Sequence, residues 1–98
     1  MYEFRYKPPA ERYLKKLKDR NLIAVYRDAL EKIVEEPYSA GKAKTGDLAG
    51  IYCRDVYYGK TNYEIAYQIF EEGDQLVVII LAGTRENFYR ELKRYMNL

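Results

Sequence analysis

Residues 63–96 read YEIAYQIFEEGDQLVVIILAGTRENFYRELKRYM, and the way this stretch divides decides the fold. Tyr63, Ile65, Tyr67 and Ile69 alternate with Glu64, Ala66, Gln68 and Phe70, the period of a strand with two unlike faces. EGD is a turn signal. QLVVIILA is then apolar on both faces, which predicts a central strand. The apolar run breaks at Gly83, Thr84 or a neighbour is placed to cap a new helix, and Phe88, Leu92, Tyr95 and Met96 recur at helical spacing.

Working outward, IYCRDVYY (51–58) ends at the turn signal GKTN, so three sequential antiparallel strands precede the last helix. If Ile65, Tyr67 and Ile69 face a layer of helices, Glu64, Ala66 and Gln68 face away. Val56 reads as a core residue, which sends Cys53, Asp55 and Tyr57 to the far side and leaves Arg54 at the sheet margin. A slip of one residue reverses every one of these directions. Upstream, GKAKTGDLAG (41–50) reads as a basic loop.

Two amphipathic patterns come earlier. Ala10, Tyr13, Leu14 and Leu17 share one helical face; Leu22, Val25, Tyr26, Ala29, Leu30, Ile33 and Val34 share another. Pro37 and Gly41 end the second. A short connection between them predicts a helical hairpin, and YEFRY (2–6) predicts a short first strand. The expected order is β-α-α-β-β-β-α. That is an α+β fold, a small antiparallel sheet with the N-terminal helical hairpin on one face and a C-terminal helix, with residues 1–98 as a single domain. The second sheet face is left available for binding.

Composition bounds the chemistry. Seventeen basic and fifteen acidic residues give a net charge of +2, which does not announce nucleic-acid binding. One cysteine excludes an internal disulfide and a cysteine metal cluster. No signal-like apolar start and no run near the ~18 apolar residues of a membrane span are present, so a cytoplasmic protein with no membrane partner is expected. The absence of histidine confines acid–base chemistry to carboxylates, Lys, Arg, Tyr or Cys. Twelve tyrosines allow two readings: a core partly built of Tyr, or a surface that stacks on bases.

The strand-to-helix corner carries the candidate chemistry. Arg85 and Tyr89 lie four residues apart, hence on one face if both are helical. A guanidinium grips phosphate oxygens bidentately, and a tyrosine can stack on a base or pass a proton. Lys42, Lys44 and Lys60, with Arg54, supply further phosphate contacts, and Asp55 or Glu64 supplies a base. The plain alternative is that Arg85 pairs with a carboxylate such as Glu64 or Glu86 while Tyr89 packs. Cys53 beside Arg54 is a weaker candidate for an activated thiol. No carboxylate cluster has metal-ligand spacing, and no cofactor is expected.

The element order, the GDLAGIY approach to the second strand, YEIAYQIF, and LVVIILAGTRENFY as strand, G-x-R and helix resemble the RelE/ParE toxins of bacterial type II toxin–antitoxin modules, over nearly the whole chain. The resemblance implies a toxin held inactive by a cognate antitoxin. RelE-like members cleave mRNA on the ribosome without metal, and ParE-like members share the fold but block DNA gyrase. Arg85 matches the arginine that follows the last strand of the mRNA-cutting members, and Tyr89 approximates their C-terminal tyrosine at a shorter spacing. Where those members often carry lysines and an arginine on the middle strands, this chain has Cys53, Asp55 and Glu64. The implied functions are an mRNA interferase with Arg85, Tyr89 and Glu64 catalytic and Lys42, Lys44, Arg54 and Lys60 binding RNA, or a gyrase inhibitor. A third possibility is a relative that binds antitoxin and does nothing else.

Overall fold

A computed structural model describes residues 2–98. Strand β1 (Glu3–Tyr6) leads into helices α1 (Pro8–Lys16) and α2 (Arg20–Glu35). Two prolines begin α1, where a missing N–H costs nothing. Asp19 caps α2, accepting hydrogen bonds from the backbone N–H of Asn21 (2.9 Å) and Leu22 (3.2 Å). The same carboxylate accepts from the Tyr58 hydroxyl at 3.0 Å, tying the helical hairpin to the sheet.

Residues 41–50 are more ordered than the basic loop expected of them. A single-turn helix α3 (Pro37–Ala40) is followed by a two-residue strand β2 (Lys42–Ala43) and a 3-10 turn at Gly46–Leu48. Then come β3 (Tyr52–Tyr58), β4 (Thr61–Phe70), β5 (Leu76–Thr84) and α4 (Phe88–Met96). The sheet order is β1-β5-β4-β3-β2, with β1 parallel to β5 and every other pair antiparallel. The doubly apolar β5 is interior, as its sequence requires.

The register sets the faces. Cys53 pairs with Ala66, Asp55 with Glu64, Val56 with Tyr63 and Tyr57 with Asn62. Ile65, Tyr67 and Val56 pack with Leu22, Tyr26 and Ile33 of α2, so the expected direction of each strand is correct. Between the pairs Ala66–Leu81 and Tyr67–Ile79 the register shifts by one residue. This bulge in β5 delivers both Ile80 and Leu81 to the opposite face.

That opposite face is not bare, which corrects the expectation of an available surface. Phe88 and Leu92 of α4 close over Cys53, Ala66, Ile80 and Leu81, with Leu48 and Ile51, in a second core. The tyrosines mostly go to structure. Tyr67 is fully buried, stacks on Tyr52 at 5.7 Å between centroids and donates to the Pro37 carbonyl at 2.7 Å. Tyr26 meets Tyr13 and Tyr63 edge to face. Gly41 passes so close to this group that a Cβ would lie 2.6 Å from the Tyr67 hydroxyl and 2.8 Å from the Cys53 carbonyl oxygen.

Candidate active site

Where the second core ends, the sheet face turns polar. Row by row across β3, β4 and β5, Cys53–Ala66–Leu81 is roofed by α4, Asp55–Glu64–Gly83 lies at its edge, and Tyr57, Asn62 and Arg85 come next. The last row is closed by the Arg85 N–H, which donates to the Asn62 carbonyl at 2.9 Å. Glu64 is therefore a charged residue at a margin, and it is only 2% exposed.

Two neighbours converge on its carboxylate. Tyr89 donates its hydroxyl proton to Oε1 at 2.5 Å. The Arg85 Nε stands 4.0 Å from Oε2, and the arginine side chain is 57% exposed. Glu64 Oε2 is buried and accepts no hydrogen bond among the described residues. An unsatisfied buried polar atom costs about 1–3 kcal/mol, and more when charged, so the pairing with a mostly solvated guanidinium leaves a deficit at this atom.

The corner that brings Arg85 and Tyr89 together differs from the sequence expectation. Arg85 belongs to the turn, not to α4, and Thr84 ends β5. Asn87 precedes the helix in the left-handed conformation (φ 63°), which asparagine tolerates better than most side chains. The Phe88 N–H bonds to the Arg85 carbonyl at 3.1 Å, so the chain reverses within three residues. Both side chains thereby reach one carboxylate.

Burial pushes the Tyr89 phenol well above its ordinary pKa, and its hydrogen bond to Glu64 adds to the shift. Lys44 places its ammonium over the Tyr89 ring, 4.9 Å from the centroid. Beneath them Cys53 is 4% exposed, and burial pushes its thiol up to about 12. A thiolate does not form there near neutral pH, so Cys53 is not the activated nucleophile weighed from sequence.

Of the residues expected to act, Glu64, Arg85, Tyr89 and Lys44 are thus assembled. Lys42 is exposed at the outer edge of the same face, opposite Cys53 in the register. Lys60 is exposed at the tip of the β3–β4 hairpin, next to Gly59 with φ 61°. Arg54 is not brought to the cluster. It lies on the helix-facing side of β3, where its Nη1 donates to the Ala40 carbonyl at 2.6 Å. A cavity of about 430 Å³ also lies elsewhere, between β1 and the helical hairpin, lined by Phe4, Tyr6, Leu14, Leu17 and Leu30. Its walls are mostly apolar, and Glu31 is the one carboxylate among them.

Residues 5–93 match the family described as ParE-like toxin of type II bacterial toxin–antitoxin system. The chain belongs to that family. Among solved structures, the toxin is 33% identical to a chain of the RelBE2 toxin–antitoxin complex of Mycobacterium tuberculosis, with a TM-score of 0.65, covering 86% of this chain and 98% of that one. It also shares its fold with the isolated RelE toxin of Escherichia coli, at 20% identity and a TM-score of 0.68 over 97% of this chain and 99% of that one. The intact E. coli RelBE toxin–antitoxin complex contains a chain 21% identical, with a TM-score of 0.63 over 85% of this chain and 95% of that one. A comparison with curated protein sequences found no match. The toxin therefore has the RelE/ParE fold predicted from its sequence. No helix among its described residues is long and apolar enough to cross a membrane.

Proposed function

We propose that this toxin is an mRNA endonuclease acting on ribosome-bound transcripts, with Glu64 as the base. The observation that carries the reading is the buried Glu64 carboxylate, one oxygen held by Tyr89 and the other unsatisfied beside Arg85. A ribose 2′-hydroxyl is the donor that Oε2 lacks. Its proton passes to Glu64 as the 2′-oxygen attacks the adjacent phosphorus. Arg85 faces solvent and stabilises the charge that builds on the phosphoryl oxygens. Tyr89 stays protonated at neutral pH and passes its proton to the departing 5′-oxygen, then recovers one from Glu64 through their 2.5 Å contact. The bond to the 5′-oxygen breaks, leaving a 2′,3′-cyclic phosphate and a 5′-hydroxyl. Lys44 adds positive charge beside Tyr89, and Lys42 and Lys60 contact flanking phosphates. No step requires histidine. Arg54, engaged with Ala40, serves the fold in this reading.

The partner is a cognate antitoxin, as in the RelBE complexes that share the fold. An acidic segment lying over Arg85 and Tyr89 silences the site without altering the rest of the toxin. A complex that left both residues solvent-exposed would contradict this arrangement.

The acidic pair Asp55–Glu64 in the centre of the face favours one other reading. Carboxylates repel a phosphate backbone, and a protein target such as gyrase has no such objection. Primer extension on a translated reporter after brief induction separates the two. New 5′ ends within the reading frame, absent with Arg85→Ala, support the nuclease; intact transcripts with altered plasmid supercoiling support gyrase inhibition.

A further inference from the structure

Tyr57 is the most exposed large hydrophobic residue among those described, at 65%, and it stands on the face that holds the catalytic candidates. It follows Val56, which is buried against the helices, so alternation along β3 turns its ring to the opposite side. It pairs with Asn62, whose carbonyl receives the Arg85 N–H. Tyr57 and Arg85 are therefore two strands apart in one row, about 10 Å between backbones at ordinary strand spacing. No hydrogen bond or ring contact of the Tyr57 side chain is found among the described residues. Tyr89, the other aromatic at the site, is half-buried with its hydroxyl committed to Glu64, so it has no free ring face to offer on both sides.

Asp55 lies two residues before Tyr57 on the same strand face, exposed, and paired with Glu64. As a second base it would be redundant, because Glu64 already has the unsatisfied oxygen. As a phosphate neighbour it would repel. Its carboxylate suits a different group, the exocyclic amine of a nucleobase, which donates hydrogen bonds to acidic side chains.

We propose that Tyr57 and Asp55 form a nucleobase subsite beside the cleavage centre, Tyr57 stacking on an unpaired base and Asp55 reading its amino edge. The subsite takes cytosine, adenine or guanine and discriminates against uracil, which has no exocyclic amine. It rests on the mRNA-cleavage reading of the same face. Stacking of this kind tolerates any aromatic ring, so Tyr57→Phe retains function while Tyr57→Ala does not. Both substitutions fall on an exposed side chain and leave the two cores untouched.

The test has two arms. In a translation reaction, purified wild-type, Tyr57→Phe, Tyr57→Ala and Asp55→Asn proteins are incubated with a reporter mRNA and every cleavage end is mapped. Tyr57→Ala is expected to lower kcat/KM about 10-fold or more, with Tyr57→Phe near wild type. Asp55→Asn is expected to cut more evenly, gaining sites with uracil at the read position. Wild-type rate and an unchanged site profile in Tyr57→Ala overturn the subsite while leaving cleavage standing. In the second arm, 2′-O-methyl trinucleotides, which cannot be cut, are titrated into the toxin while tyrosine ring NMR signals are followed. Shifts of the Tyr57 ring, larger with CCC than with UUU, support the subsite even if the wild type cuts no mRNA, an outcome that would by itself refute the nuclease reading. No shift with any trinucleotide, together with no cleavage, overturns both.

Discussion

Glu64 is where stability and activity pull apart. Its carboxylate is buried, satisfied at Oε1 and unsatisfied at Oε2. Replacing it with an apolar side chain of similar length removes the deficit at Oε2 but leaves two former partners: Arg85, which water solvates because that side chain is largely exposed, and the half-buried Tyr89 hydroxyl, which loses its acceptor. The gain at Oε2 and the loss at Tyr89 offset each other, so Glu64→Met is expected to change the stability of the fold by no more than about 1 kcal/mol. Denaturant midpoints check this, and a loss of several kcal/mol would show that the carboxylate is structural. Cys53 makes a second residue-scale test. With its thiol buried under α4 and pushed up to about 12, it should stay unmodified by a thiol reagent at pH 8 in the folded toxin and react at once in denaturant.

At the scale of elements, α4 is the weak point and also the carrier of Tyr89. Of its nine residues only Phe88 and Leu92 are buried. The ion pair from Lys93 to Asp47, at 3.5 Å, is exposed on both sides and adds little. Leu92→Ala should cost about 2–4 kcal/mol, and it should raise both the reactivity of Cys53 and the exchange rate of α4 amides before those of β4 and β5. Uniform exchange across the fold would contradict a locally opening helix. This element also shows what the sequence carried. The strands, the helical hairpin and the directions of Ile65, Tyr67 and Val56 were legible because binary pattern sets them locally. The roofing of the far face was not, because Phe88 and Leu92 mark a buried side without saying what lies under it. The bulge at Ile80 and the left-handed Asn87 were equally hidden. Both are backbone choices fixed by tertiary packing. The site was half legible for the same reason: Arg85, Tyr89, Glu64 and Lys44 could be nominated by type, but the engagement of Arg54 with the Ala40 carbonyl depends on where α3 packs, which its own strand does not reveal.

Across the whole molecule, titration is set by composition and burial together. With no histidine, no side chain of unperturbed pKa changes charge between about pH 5 and 8. Burial raises the phenols of Tyr26, Tyr67 and Tyr89, and the thiol of Cys53, above their ordinary values. Each keeps its proton in the folded state after the unfolded chain has released it. The unfolded state then binds fewer protons, so stability falls as pH rises. The loss should begin near the ordinary values of 9.0 for the thiol and 10.0 for the phenols and continue upward. Guanidinium midpoints at pH 7, 9 and 10.5 check it, and a midpoint constant through pH 10.5 would contradict the buried positions of these groups.

The central claim joins these scales in one step, the transfer of a proton from substrate to Glu64. The most direct measurement is the single-turnover cleavage rate of mRNA on programmed ribosomes, wild type beside Glu64→Gln. The amide keeps the size of the side chain and its acceptor for Tyr89 but cannot take the proton. A fall of about 100-fold or more, as expected on removing a general base, with the fold and ribosome binding unchanged, is the predicted result. Cleavage by Glu64→Gln at the wild-type rate would contradict the account.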